Sequence, residues 1–100
     1  MRRPKGGTYV LVNPDTAQIM RVGRTKDLSR RAREHKADPK TEDFDFVIDR
    51  WTDRYDEQRG REQLIHDEYQ PPLDLISPIS SRNPRRKKYL DAARKMDQGR

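Results

Sequence analysis

One hundred residues, 40 % of them charged and 30 % hydrophobic, leave room only for a small core built from a few aromatics and branched aliphatics, so one compact domain is expected. The absence of cysteine excludes disulfides and thiolate metal centres, no apolar run approaches the roughly 20 residues of a membrane span, and MRRPKGG lacks a signal peptide's apolar stretch, so a soluble chain without an export address is expected. The net charge of +6 is segregated into +7 over residues 1–36, −6 over 37–70 and +5 over 71–100, a distribution that favours a polyanionic partner along one face, with the acidic middle turned away or holding a cation.

Thr8 to Asn13 (TYVLVN) and Gln18 to Gly23 (QIMRVG) are rich in β-formers, and the PDTA between them places Pro14 and Asp15 at the centre of a type I turn. The pair reads as a β-hairpin. Alternation puts Tyr9 and Leu11 on one face of the first strand and Ile19 and Arg21 on one face of the second, which sets Tyr9 across from Arg21. Gly23 ends the second strand, and Thr25 or Asp27 caps a helix that runs to about Ala37, where Asp38-Pro39 stops it. Leu28, Arg31 and His35 follow an i, i+3, i+7 spacing on that helix, with Ala32 beside them. A guanidinium and an imidazole therefore adjoin the packing face, whereas Arg30 and Arg33 project toward solvent or phosphate.

FDFVIDRW, Phe44 to Trp51, alternates strongly, with Phe44, Phe46 and Ile48 on one face and Asp45, Val47 and Asp49 on the other; it is the best candidate for the central strand. A second helix is expected from about Asp56 to Tyr69, stopped by Pro71 and Pro72. Glu62, Ile65 and Tyr69 share one stripe of it, and a carboxylate in line with apolar residues must be paired, bind metal or face a cleft. An ion pair with Arg59 or another arginine is one solution. His66, one turn later, reads first as a helix-surface residue, with a two-ligand metal site as the alternative.

PPLDLISPISSR has too many prolines for a helix and should wrap the surface in extended form. NPRRKKYLDAARKM starts a third helix, with Asn83 as cap, Pro84 in the first turn, and Tyr89, Ala93 and Met96 as packing edge. The cations Arg85 to Lys88 oppose the helix dipole in its first turn, so local stability does not account for them. Together with Arg82 they are assigned to phosphate contacts that do not read sequence.

The order of these elements and residues resembles the GIY-YIG nuclease family. That family's pattern is a strand opening with Gly-Ile-Tyr, a turn, a strand ending in Tyr-Ile-Gly, and a helix with an arginine eight residues after that glycine and a histidine four later; a third strand and a helix bearing one glutamate follow. Here GTY (Gly7 to Tyr9) is similar to the first motif and RVG (Arg21 to Gly23) to the second. Arg31 and His35 fall at the expected offsets from Gly23, and Glu62 in GREQLIHDEY is the matching glutamate. The resemblance covers residues 7 to about 70. Arg21 stands where the family usually has tyrosine, a place from which a basic residue can orient water or bind phosphate. The tail, LISPISSRNPRRKKYLDAA, resembles the ends of nuclease domains at the C termini of bacterial polymorphic secreted toxins, which together with the abrupt start points to a module of a larger protein.

The resemblance implies an α+β fold, a small three-stranded mainly antiparallel sheet flanked by helices, forming a single domain over 1–100 with its core in 7–70 and a basic extension and helix in 71–100. It implies a metal-dependent endonuclease, with a basic cleft bounded by Tyr9, Arg21, Arg31, His35 and Glu62. Tyr9 would deprotonate or orient the attacking water with the help of His35, Arg31 would neutralise the phosphoryl oxygens, and Glu62 would hold Mg2+ or Mn2+. Arg24, Lys26, Arg30, Arg82, Arg85, Arg86 and Lys87 are the expected nucleic-acid contacts, and Asn83 either supports the site or only caps its helix. DNA is preferred to RNA as substrate, and no membrane is implied. A toxin domain implies export within a larger protein, action in the target-cell cytoplasm and a cognate immunity protein; a stand-alone nuclease would be cytoplasmic. Two alternatives stay open at this point: a non-catalytic nucleic-acid-binding domain with a degenerate site, and a DNA repair or mobile-element nuclease.

Overall fold

The computed structural model describes residues 3–99; Met1, Arg2 and Arg100 lie outside the described residues. Its elements are β1 (Gly7–Val12), β2 (Ile19–Thr25), α1 (Leu28–Ala37), β3 (Asp45–Trp51), α2 (Tyr55–Tyr69) and α3 (Arg86–Gln98). Both strand pairs are antiparallel and the sheet order is β2-β1-β3, so the chain has the expected α+β fold with three antiparallel strands and helices around them. The 44–51 segment, however, forms an edge strand and β1 is central. The physical reason is visible in the residues: GTYVLV carries no charge and is buried along nearly its whole length, as a strand covered on both faces must be. DFVIDRW carries three charges and has no fully buried residue, as suits a strand at the sheet's edge.

Two small cores result, one on each face of the sheet. Tyr9, Leu11 and Leu28 pack with Phe44 and Phe46 on the α1 side. Val10, Val22 and Ile65 pack with Val12 and Ile19 on the α2 side. Ile19 reaches that second face through a β-bulge: Leu11 pairs with Arg21 and Val12 with Ile19, leaving Met20 unopposed. Ile19 and Arg21 therefore part company, contrary to simple alternation. A second bulge, between the Thr8–Arg50 and Tyr9–Ile48 pairs, leaves Asp49 unopposed. Asp49 accepts hydrogen bonds from Thr8 Oγ1 at 2.7 Å and from Arg61 Nε and Nη2 at 2.8 and 2.9 Å. Arg61 also reaches Asp97 of α3 at 3.1 Å, so one guanidinium joins the sheet, α2 and α3.

Helix ends follow local chemistry. Asp27 is the N-cap of α1, its side chain accepting from the Arg30 amide at 3.1 Å, while Thr25 accepts from the Asp27 amide. α2 stops where expected, with Gln70 in the left-handed region at φ 48° before Pro71. Ile65 is buried on that helix, but Tyr69, in its last turn, is 52 % exposed. Gly60 lets α3 lie against α2, because a Cβ there would run into the Tyr89 carbonyl. Tyr89 and Ala93 bury the inner edge of α3 as its spacing predicts. Asn83 does not cap that helix. Its carboxamide oxygen accepts from the Arg85 amide at 2.8 Å, forming a turn that delays the helix to Arg86.

Candidate functional site

Tyr9 sits in the middle of the central strand, 1 % exposed, with its ring stacked on Phe46 at a centroid distance of 4.5 Å. Its cross-strand partner is Gly23, not Arg21, which pairs with Leu11. The hairpin register makes Arg21 a diagonal neighbour of Tyr9, so the two share a face without standing opposite. The pairing explains the glycine. The phenol lies directly over Gly23, in the space a Cβ would need, and so passes across β2 toward the outer edge of the sheet.

At that edge the Tyr9 oxygen meets two groups from α1. Nε2 of His35 lies 2.9 Å away, and Arg31 Nε donates to the same oxygen at 3.2 Å. The predicted stripe of Leu28, Arg31 and His35 thus turns its apolar member into the core and its two polar members onto the phenol. Thr41 fixes the histidine. Its hydroxyl donates to the His35 carbonyl at 2.7 Å, so at the 3.2 Å contact with Nδ1 it must accept, which puts the imidazole proton on Nδ1. Nε2 is then a free lone pair, and the Tyr9 hydroxyl donates to it. Burial, with the positive charges of Arg31 and Arg21, holds His35 below its ordinary value and so keeps it neutral. The hydrogen bond to Tyr9 leads the causes that raise Arg31.

Glu62 comes from α2 on the far side of the same opening. Tyr9, Arg21, Gly23, Arg31, Glu62 and Pro78 all line one open cleft. Glu62's pairing partner is Arg24, with Nε 3.7 Å from the carboxylate, and not Arg59. Arg59 donates instead to Tyr55 Oη at 2.8 Å and to the Pro78 carbonyl at 3.3 Å, and packs against the rings of Tyr55 and Tyr89. Its buried Nε has no hydrogen-bond partner among the described residues. Burial pushes the Glu62 carboxyl up to about 6, against the pull of Arg24 and Arg59. Asp74 adds to the rise.

His66 does not join Glu62. Its Nδ1 lies 3.4 Å from Asp74 Oδ2, and Asp74 accepts from the Val22 amide at 3.3 Å, tying the proline-rich segment to β2. No cluster of three or more metal-ligating side chains forms among the described residues. Of the residues lining the cleft with Tyr9 and Arg31, Glu62 alone carries a carboxylate.

The remaining cations scatter more widely. Arg24 lies over the Tyr55 ring at 4.8 Å and lines a neighbouring depression with Lys26 and Lys5. Arg30, Arg82 and Arg85 are exposed. Arg86 donates to the Ile79 carbonyl at 3.1 Å and lies 3.8 Å from Asp67, and Lys87 pairs with Asp91. Asn83 is spent on its turn.

Two participants were not legible beforehand: Thr41 and Asp74. Thr41 lies six residues past His35, in a loop with no periodicity to read. Asp74 belonged to a segment whose path the sequence does not fix.

No curated protein and no solved structure matches this chain at a significant level. The family model described as the T5orf172 domain matches residues 6–90, a span that holds Tyr9, Arg31, His35, Thr41 and Glu62 alike. The chain therefore belongs to the T5orf172 domain family, a family of nuclease-like domains.

Proposed function

We propose that this domain is a metal-dependent endonuclease of GIY-YIG type, acting on DNA as the toxic part of a secreted antibacterial effector. The observation that carries the reading is the triple junction at the Tyr9 oxygen, where a neutral imidazole accepts and a guanidinium donates at the mouth of a cleft that also holds Glu62. A phenol in that setting can pass its proton to His35 Nε2 while taking one from water. The resulting hydroxide forms the new bond to phosphorus as the bond to the leaving oxygen breaks. The relay leaves Tyr9 neutral and His35 protonated; Arg31 would neutralise the phosphoryl oxygens, with Arg21 and Arg24, which line the same cleft, adding to that charge.

Glu62 suits a divalent cation because it is a desolvated carboxylate that Arg24, at 3.7 Å, compensates only in part. One carboxylate, with water and phosphate oxygens completing the shell, fits Mg2+ or Mn2+. When bound, such an ion would supply Lewis-acid neutralisation at the leaving oxygen. Arg21, in the place of the family tyrosine, lines the cleft and keeps a polar group there.

The test is plasmid cleavage in Mg2+ or Mn2+ and in EDTA, with the parent beside Glu62→Ala and Arg31→Ala. Nicking that requires metal and disappears in both variants is expected. Equal cleavage by all three would remove the site assignment, and salt-sensitive binding without metal-dependent turnover would favour a non-catalytic binding domain. Arrested growth of a bacterial host on expression, relieved by a small neighbouring gene product, is the expected sign of toxin and immunity protein. RNA in place of the plasmid tests the preference for DNA.

A further inference from the structure

Leu75 and Ile76 are the two most exposed large apolar side chains among the described residues, at 92 % and 84 % of their surface. They are not on a loose loop. On one side Leu73 donates its amide to the Met20 carbonyl at 2.9 Å and Asp74 holds the Val22 amide. On the other, Gln63 Oε1 accepts from Ser77 Oγ at 2.9 Å and from the Ile79 amide at 2.8 Å. A short segment pinned at both ends thus presents two bare aliphatic side chains to water, an arrangement that contributes nothing to folding.

Their position tells what they meet. Leu75 and Ile76 line a hollow with Arg21, Glu62 and Asp74, and that hollow shares Arg21, Val22, Glu62 and Pro78 with the Tyr9–Arg31 cleft. The hollow itself carries Arg21 beside the carboxylates Glu62 and Asp74, and the cations gather in the adjoining cleft, where Arg21, Arg24, Arg31 and Arg59 line one opening. A polyanion seated on those arginines would bring its own apolar parts against Leu75 and Ile76. In duplex DNA those parts are the base stack. Resting on the nuclease reading above, we propose that Leu75 and Ile76 form a wedge that enters between base pairs beside the scissile phosphate and kinks the duplex there. Pinned aliphatic side chains can lever a base step open, since they do not fold away, and unstacking would draw the strand toward the cleft.

A 2-aminopurine duplex, in Ca2+ to allow binding without turnover, reads the effect. The parent protein should raise the probe's fluorescence, and Leu75→Ser/Ile76→Ser should bind with the same salt dependence, weaker by on the order of tenfold, without the rise. Because both side chains are exposed, the double variant should keep the parent's melting temperature, and Leu75→Met/Ile76→Met should restore unstacking. Unchanged fluorescence enhancement in the serine variant overturns the wedge while leaving the nuclease reading intact. Failure of the parent to bind any duplex overturns both. A parent that dimerises in solution while the serine variant is monomeric also overturns it, by assigning the pair to a second copy of the chain.

Discussion

The phenol oxygen of Tyr9 stands 2.9 Å from Nε2 of His35 at the one point on β2 where Gly23 leaves the ring room to cross. Replacing Tyr9 by Phe keeps the ring and its stack on Phe46 but removes the oxygen that His35 and Arg31 share. Metal-dependent cleavage should fall at least about a hundredfold. Stability should drop by about 1–2 kcal/mol, because two partly buried polar groups lose their partner. Nicking assays and urea unfolding measure the two effects separately.

Thr41 sets which nitrogen of His35 carries the proton. Thr41→Val removes that constraint while preserving shape. The fraction of His35 protonated on Nε2 should grow, visible in 15N shifts of the imidazole, and turnover should fall on the order of tenfold. An unchanged tautomer in the valine variant would refute the assignment.

Gly23→Ala puts a methyl into the Tyr9 ring. The ring is packed against Phe46 and cannot swing away freely, so the variant should lose about 1–3 kcal/mol in chemical denaturation. Activity should fall with it, since the phenol oxygen moves from its partners.

Glu62 makes the pH dependence of stability informative in chelator. Its carboxyl rises from 4.5 in the unfolded chain to about 6 in the folded one, so the native state holds the proton more tightly. Stability due to this group is therefore lost as pH climbs from about 4.5 through about 6, for a total of about 2 kcal/mol. His35 acts in the opposite sense: its value is lowered, so its contribution is present above 6.5 and lost as pH falls. Glu62→Gln keeps His35 and isolates the first effect. The variant should be more stable than the parent at pH 7.5, with the difference vanishing near pH 4.

Arg61 tests the fold rather than the site. Its guanidinium bridges Asp49 and Asp97, and Arg61→Ala takes from Asp49 its two guanidinium hydrogen bonds at 2.8 and 2.9 Å, while Asp97 keeps Arg50 at 3.0 Å. Burial works to raise Asp49, and the hydrogen bonds from Arg61 and Thr8 more than offset it. Loss of about 3 kcal/mol in thermal or urea unfolding is expected, with Asp49→Ala/Arg61→Ala losing less than the sum of the single changes.

Local chemistry alone determined a good deal of this protein. Apolar β-formers around PDTA dictated the hairpin, Asp27 and Asp38-Pro39 bounded α1, and Pro71 bounded α2. The i, i+3, i+7 spacing on α1 was enough to place Arg31 and His35 on one stripe with Leu28. Tertiary structure decided what no local rule encodes. Two bulges, at Met20 and Asp49, reset which side chains share a face, because one extra residue reverses every position beyond it. The charged 45–51 strand went to the edge, where Asp45, Asp49 and Arg50 stay within reach of water or partners, whereas the uncharged β1 could be covered on both faces. Asp74 reached the site from 52 residues beyond Val22 and Thr41 from the loop after α1, and burial, a property only of the packed chain, set the proton affinities of Glu62 and His35.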